Sequence, residues 1–145
     1  MEMYLSVEEN STRPMFLEPQ ELRIGNYINY ENTTHVVAEL HKEKIIHFWI
    51  NSGHDGYVTT YNQVQAIPLT TREILDFGFE EDFDRVKYFE GYFDNNGMCI
   101  EHDGDNFWLC QHRDEDEVVR IAVVDDVHEL QNLYYHITGK ELTYS

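Results

Sequence analysis

Pro68-Leu69-Thr70-Thr71-Arg72-Glu73-Ile74-Leu75-Asp76-Phe77-Gly78-Phe79 decides how the chain divides. Thr70 and Glu73 stand at capping-box spacing, so a hydroxyl and a carboxylate can satisfy N–H groups left open at a helix start. Ile74, Leu75 and Phe77 are placed to face a core. Gly78 offers the left-handed conformation that ends a helix, and Phe79 follows where a hydrophobic contact often locks such an end. The stretch predicts a helix of about two turns fixed at both ends.

Upstream, Pro14 and Pro19 interrupt any regular element, and an arm is expected to dock through Tyr4, Leu5, Met15, Phe16 and Leu17. Leu22, Ile24, Asn26 and Ile28 then alternate with Arg23, Gly25, Tyr27 and Asn29, the period of a half-buried strand. Gly25 inside that run reads as a bulge or a close backbone approach. Residues 35–40, 45–50, 57–60 and 64–67 follow as strands separated by turns. Five short strands at this even spacing predict a small SH3-like barrel or bent sheet over residues 1–67, arm included.

Downstream, residues 80–84 read as a solvated acidic loop and residues 85–93 as an aromatic strand with Gly91 at a bulge. Asp94-Asn95-Asn96-Gly97 and Asp103-Gly104-Asp105-Asn106 carry turn chemistry, because Asn, Asp and Gly tolerate positive φ. Strands at 98–102, 107–112 and 118–123 complete a four-stranded antiparallel meander. Asp125 or Asp126 can cap a final helix whose apolar stripe is Val127, Leu130, Leu133, Tyr134 and Ile137. Gly139 ends it, and Leu142 folds back. Residues 68–145 are therefore an α-β-β-β-β-α lobe. With no Gly/Ser/Pro-rich boundary, the α+β chain is expected to share one core across both lobes.

The 145 residues hold 28 acids against ten Lys and Arg, a formal charge of −18. Such a charge repels nucleic-acid phosphates and anionic membrane surfaces, and it favours a basic protein, a cationic ligand or a metal ion. Residues 80–117 contain thirteen acids and three Lys or Arg, so they carry −10 of the total. The candidate partner-binding residues are Glu80, Glu81, Asp82, Asp84, Asp103, Asp105, Asp114, Glu115, Asp116 and Glu117. Either they form one acidic face or they are ordinary solvated turns. No apolar run is long enough to span a membrane, no signal-peptide pattern opens the chain, and two cysteines make no disulfide framework. Cytoplasm is the expected compartment.

Three stretches, in the same order, resemble a family of small uncharacterised proteins common in Bacteroides-group bacteria, their phages and mobile elements. They are Glu21-Leu22-Arg23-Ile24-Gly25-Asn26-Tyr27-Ile28, the run from Ile67 to Glu80, and Val127-His128-Glu129-Leu130-Gln131-Asn132-Leu133-Tyr134-Tyr135 with Thr138-Gly139-Lys140-Glu141-Leu142. The family has a longer, proline-containing approach and a tryptophan in the short helix, where Ala66 and Ile74 stand here. The resemblance implies a protein of phage or mobile-element origin working in a bacterial host cytoplasm. It brings no catalytic residues.

No Walker loop, G-x-S-x-G or H-E-x-x-H is present. Cys99 and Cys110 lack a flanking Lys or Arg that would activate a thiol. His35, His41, His47 and His54 are spaced unlike zinc ligands and read as surface or core-edge residues. His102-Asp103-Gly104-Asp105-Asn106 with His112 lacks the calcium-loop pattern and reads as a turn, and Asp125-Asp126 with His128 reads as a helix start. No metal, cofactor or catalytic residue is assigned. The expected function is non-enzymatic binding to a basic protein. An anti-CRISPR or anti-restriction inhibitor, whose carboxylates imitate phosphates on a nucleic-acid-binding defence protein, would be one case. The alternatives are an accessory protein without mimicry, for which a homodimer is one form, and a small metal- or ligand-dependent enzyme.

The second hairpin fixes one register. With Gly104 and Asp105 central, Cys110 faces Cys99 on one side of the sheet, and in a reducing compartment both are expected to remain thiols that pack as small apolar groups.

Overall fold

The computed structural model describes residues 17–52, 55–82, 91–114 and 117–145. The expected docking of Tyr4, Leu5, Met15 and Phe16, the strand reading of residues 85–90, and His54, Asp84, Glu115 and Asp116 lie outside the described residues. The chain is α+β, and its described residues form two antiparallel sheets and two α-helices.

The first sheet is a meander of β1 (Tyr27–Tyr30), β2 (Thr33–Leu40), β3 (Ile45–Trp49) and β4 (Gly56–Thr59). β1 starts later than the alternation suggested. Asn26 turns its side chain back to accept from the Arg23 N–H at 2.7 Å, and Gly25 takes φ +97°, so residues 22–26 are a turn and Ile24 is left exposed. Glu31 and Asn32 both have positive φ in a two-residue hairpin, which suits the twist of the flanking strands. The expected fifth strand at 64–67 is a single bridge, Gln65 to Asn29, on the free edge of β1. Leu17, Leu22, Ile28, Val37, Ile45 and Val64 form the core of this sheet.

The helix at the division is α1 (Thr71–Asp76), with its Thr70–Glu73 capping box formed and Gly78 at φ +96°. Ile74 and Phe77 are buried as expected, but Leu75 points outward and is 46% exposed. A two-turn helix has only one narrow buried stripe, and Leu75 falls beside it.

The second sheet has five strands where four were expected: β5 (Glu80–Asp82), β6 (Gly91–Phe93), β7 (Met98–His102), β8 (Phe107–Asp114) and β9 (Glu117–Val124), in that order. The acidic segment after Phe79 is thus an edge strand rather than a loop in its first three residues. Its carboxylates tolerate that place because an edge strand keeps them in water. Gly91 is no bulge; it sits in register between Asp82 and Glu101. The β7–β8 register is the expected one, with Cys99 opposite Cys110 and Ile100 opposite Leu109.

The closing helix α2 (Val127–Thr138) is capped by Asp126 and Glu129 and ended by Gly139 at φ +74°. Val127, Leu130 and Tyr134 pack with α1 and with Met98, Ile100 and Leu109 of the second sheet. Tyr27 of the first sheet enters the same cluster, stacked on Tyr144 at 4.4 Å between ring centres. Gln131 ties the sheets together at the polar level. It is buried on α2, accepts from the Tyr27 N–H at 2.8 Å, and donates to the carbonyls of Gly25 and Leu142.

Candidate binding site: an aromatic cleft over a histidine pair

Alternation along the first sheet sends Ile28 and Tyr30, His35 and Val37, Ile45 and His47, and Tyr57 and Thr59 to one face. The pairings Ile28–His35, Val37–His47, His47–Tyr57 and Ile45–Thr59 align them. Half of that face is the aliphatic core. The other half is polar and aromatic, and it runs out to a cleft.

His35 and His47 are not edge residues: they are 2% and 0% exposed. Their Nδ1 atoms lie 2.8 Å apart. One must donate and the other accept, and the outer partners fix which. Thr33 donates its hydroxyl to the Tyr30 carbonyl at 2.7 Å, so it receives a proton from His35 Nε2 at 3.1 Å. His35 Nδ1 is then the acceptor, His47 Nδ1 the donor, and His47 Nε2 accepts from the Thr59 hydroxyl at 3.0 Å. All four ring nitrogens are committed in one direction, with both rings neutral. A proton added to His35 would meet the His47 Nδ1–H donor to donor, one added to His47 Nε2 would force the Thr59 hydroxyl to turn and accept, and burial penalises the charge on either ring. Burial, then the neighbouring His35, lowers the His47 pKa to about 4. Burial also lowers His35, partly offset by the Glu31 carboxylate, which places that charge near the ring.

Above this pair a cavity of about 300 Å³ opens between Tyr30, Glu31, Thr33, His35, Trp49 and Tyr57. Tyr30 and Tyr57 lie 5.4 Å apart between ring centres, and Tyr57 stacks parallel to His47. Tyr57 is 43% exposed and Trp49 42%. Two large aromatic rings left half in water beside a carboxylate form a surface with unmet binding capacity.

The described acidic residues do not converge. Asp103 and Asp105 sit at the β7–β8 turn, and Asp114 and Glu117 at the opposite end of β8, whose eight residues span about 26 Å. Glu80, Glu81 and Asp82 occupy the far edge, three strands from β8 and so about 14 Å away. Asp103 is used up within its turn, accepting from the N–H groups of Asp105 and Asn106 and from the Trp108 indole at 2.9 Å. Those donors, led by the Asn106 N–H, pull its pKa down to about 2. Asp105, Asp114, Glu117, Glu80 and Glu81 are exposed, and Asp82 is half-buried.

Among the described residues no three His, Cys, Asp or Glu side chains are grouped to hold a metal ion. His102 stacks on Phe107 instead of turning to Asp103, and His128 on α2 meets Glu21 at 2.9 Å. Cys99 and Cys110 are buried thiols in a small cluster with Phe93. Contact with the Cys110 thiol, and then burial, push Cys99 far above its ordinary pKa. Among the described residues no helix is long and apolar enough to cross a membrane.

The cleft was missed because spacing along the chain cannot show it. The available signal was parity: His35 shares its parity with Val37, and His47 with Ile45, in runs whose other apolar members mark the buried face. No protein-family model, curated protein or solved structure matches the chain.

Proposed function

We propose that this is a non-enzymatic interaction protein whose partner is a basic protein. The observation that carries the reading is the uncompensated charge. The chain has 28 acids against ten Lys and Arg, and three of those ten are already paired within it, Arg23 with Glu141, Arg72 with Asp76 and Arg120 with Glu101. The exposed acids of the second sheet are left to attract an external cation. The absence of catalysis is supported by the histidine pair, whose nitrogens are all committed to one another and to threonines.

The finer reading is an anti-defence inhibitor of phage origin that occupies a nucleic-acid-binding surface. The separation of the acidic positions argues for one cluster as the contact, not a continuous phosphate-like track. The finer architectural reading, an SH3-like first lobe of residues 1–67 sharing a core with 68–145, is supported by the Gln65–Asn29 bridge and by Tyr27 in the second core. The test is capture of partners from a Bacteroides-group host, followed by salt and DNA challenge. A basic partner released by salt and displaced by DNA supports the proposal. A partner held equally at low and high salt sinks it. Replacing Asp114, Glu115, Asp116 and Glu117 together by Ser tests that cluster, and unchanged binding moves the contact to another acidic position.

A second reading is favoured by β9. This edge strand has eight residues, including only Glu117 and Arg120 as charges, and it leaves Ile121 and Val123 nearly 40% exposed. Such an edge suits strand-to-strand self-association in an accessory protein. Sedimentation at several concentrations decides it, since this dimer would persist in salt.

A further inference from the structure

We infer that the cleft between Tyr30, Glu31, Trp49 and Tyr57 binds an alkylated ammonium group, the chemistry of a methylated lysine side chain. Three observations select this ligand. Three aromatic rings, Tyr30, Trp49 and Tyr57, line the cleft, a residue type whose π quadrupole attracts a cation, and two of them are half in water. One carboxylate, Glu31, stands at the wall and acts on the floor, where His35 senses its charge. The floor itself offers a newcomer no free N–H or O–H donor. Both nitrogens of His35 are committed, and the Thr33 hydroxyl already donates to Tyr30 and receives from His35.

That last point argues against the competing ligands. A sugar laid on the same rings needs several polar partners for its hydroxyls, and a guanidinium needs acceptors for five N–H groups. A nucleobase brings phosphates toward a chain of charge −18. A methylated ammonium needs only aromatic rings and one negative charge, and the cleft lining holds three such rings and Glu31. The floor adds no opposing charge, since burial keeps His35 and His47 neutral at pH 7. That the ammonium belongs to a protein rests on the basic-partner reading above; the cleft's preference does not.

The test is an NMR titration of the full chain with Nα-acetyl-trimethyllysine amide, its unmethylated counterpart, and the neutral carbon isostere with a tert-butyl end. The chain has two tryptophans, so two indole signals report separately. The expected result is movement of the Trp49 indole and the Tyr57 and Glu31 amides while the Trp108 indole stays fixed, with the trimethylated cation binding most tightly. Tyr57→Ala should weaken it roughly three- to thirty-fold, the range for one ring over a cation. Glu31→Gln should weaken it less, and that difference should shrink in salt. Amide shifts elsewhere in each variant confirm an intact fold. Equal binding of the neutral isostere overturns the proposal, as does a response at Trp49 to methyl glucoside but to no cation, or no response at all. Trimethyllysine binding without any salt-sensitive basic partner would retain the cleft assignment and remove the partner reading. The converse would do the opposite.

Discussion

Acid should unfasten the first sheet before it protonates most of the carboxylates, and the histidine pair sets the size of the effect. His47 is fully buried, with a folded pKa of about 4 against 6.5 for an exposed imidazole. Because the folded pKa is the lower one, the unfolded chain takes up the proton first. The neutral pair's contribution is therefore complete above pH 6.5 and is lost as the pH falls toward 4. At about 1.4 kcal/mol per unit, the full loss is about 3 kcal/mol, of which about 2 kcal/mol falls between pH 6.5 and about pH 5. His35 shifts in the same direction. Glu31, Tyr30 and Tyr57 face the pair, and the one opposing influence on His35, the Glu31 carboxylate, is smaller than the burial penalty, so the sign stands. Urea unfolding of wild type and His47→Gln at about pH 7.5 and about pH 5 isolates the term, because relief of charge repulsion is common to both chains. Wild type should lose about 2 kcal/mol more than the variant on acidification. Equal losses would refute the neutral, directional chain of hydrogen bonds assigned to Thr59, His47, His35 and Thr33.

Gln131→Leu removes the acceptor of the Tyr27 N–H and the donor to two carbonyls, so it should cost about 2–4 kcal/mol in urea unfolding, with a single transition by every probe. A change within experimental scatter would show that the two sheets are not joined through this side chain. Gly139→Ala forces a side chain onto φ +74°, where nothing crowds the added carbon, so the cost should be the backbone term alone, about 1 kcal/mol by thermal melting. Cys99 and Cys110, fully buried, should stay unreactive to a thiol reagent in the folded chain and react together once urea unfolds it; fast labelling of either in the native state would contradict their packing.

Both helices were legible because their ends are written locally. Thr70 with Glu73 and Asp126 with Glu129 cap within three residues, and Gly78 and Gly139 stop the chain by backbone geometry. The β7–β8 register was equally legible, since a turn centred on Gly104 and Asp105 leaves the following pairs no choice. Apart from the turn at residues 22–26 and the outward Leu75, what failed was settled by a distant partner. Glu80 to Asp82 have no strand propensity and become a strand only by pairing with β6. The run from Leu22 loses its first half to a side-chain bond from Asn26, which competes with the sheet. Gln131 and His128 interrupt the polar face expected of α2 because the turn before β1 and Glu21 come to meet them.

The same division of scale governs how this molecule would meet a partner. Charge acts over a Debye length, about 8 Å at physiological salt, and needs no geometry, so acids at two ends and one edge of a sheet can speed encounter without forming a surface. Fidelity needs desolvated, fixed groups, and the described acidic turns supply none: Asp105, Asp114 and Glu117 are in water, and Asp103 is spent on its own loop. The first sheet has the complementary makeup. Its cleft carries one acid and three aromatic rings, held from beneath by a floor whose histidine nitrogens are all hydrogen-bonded. On this argument, neutralising acids in the second sheet changes how often a basic partner arrives, and altering Tyr57 changes how long it stays.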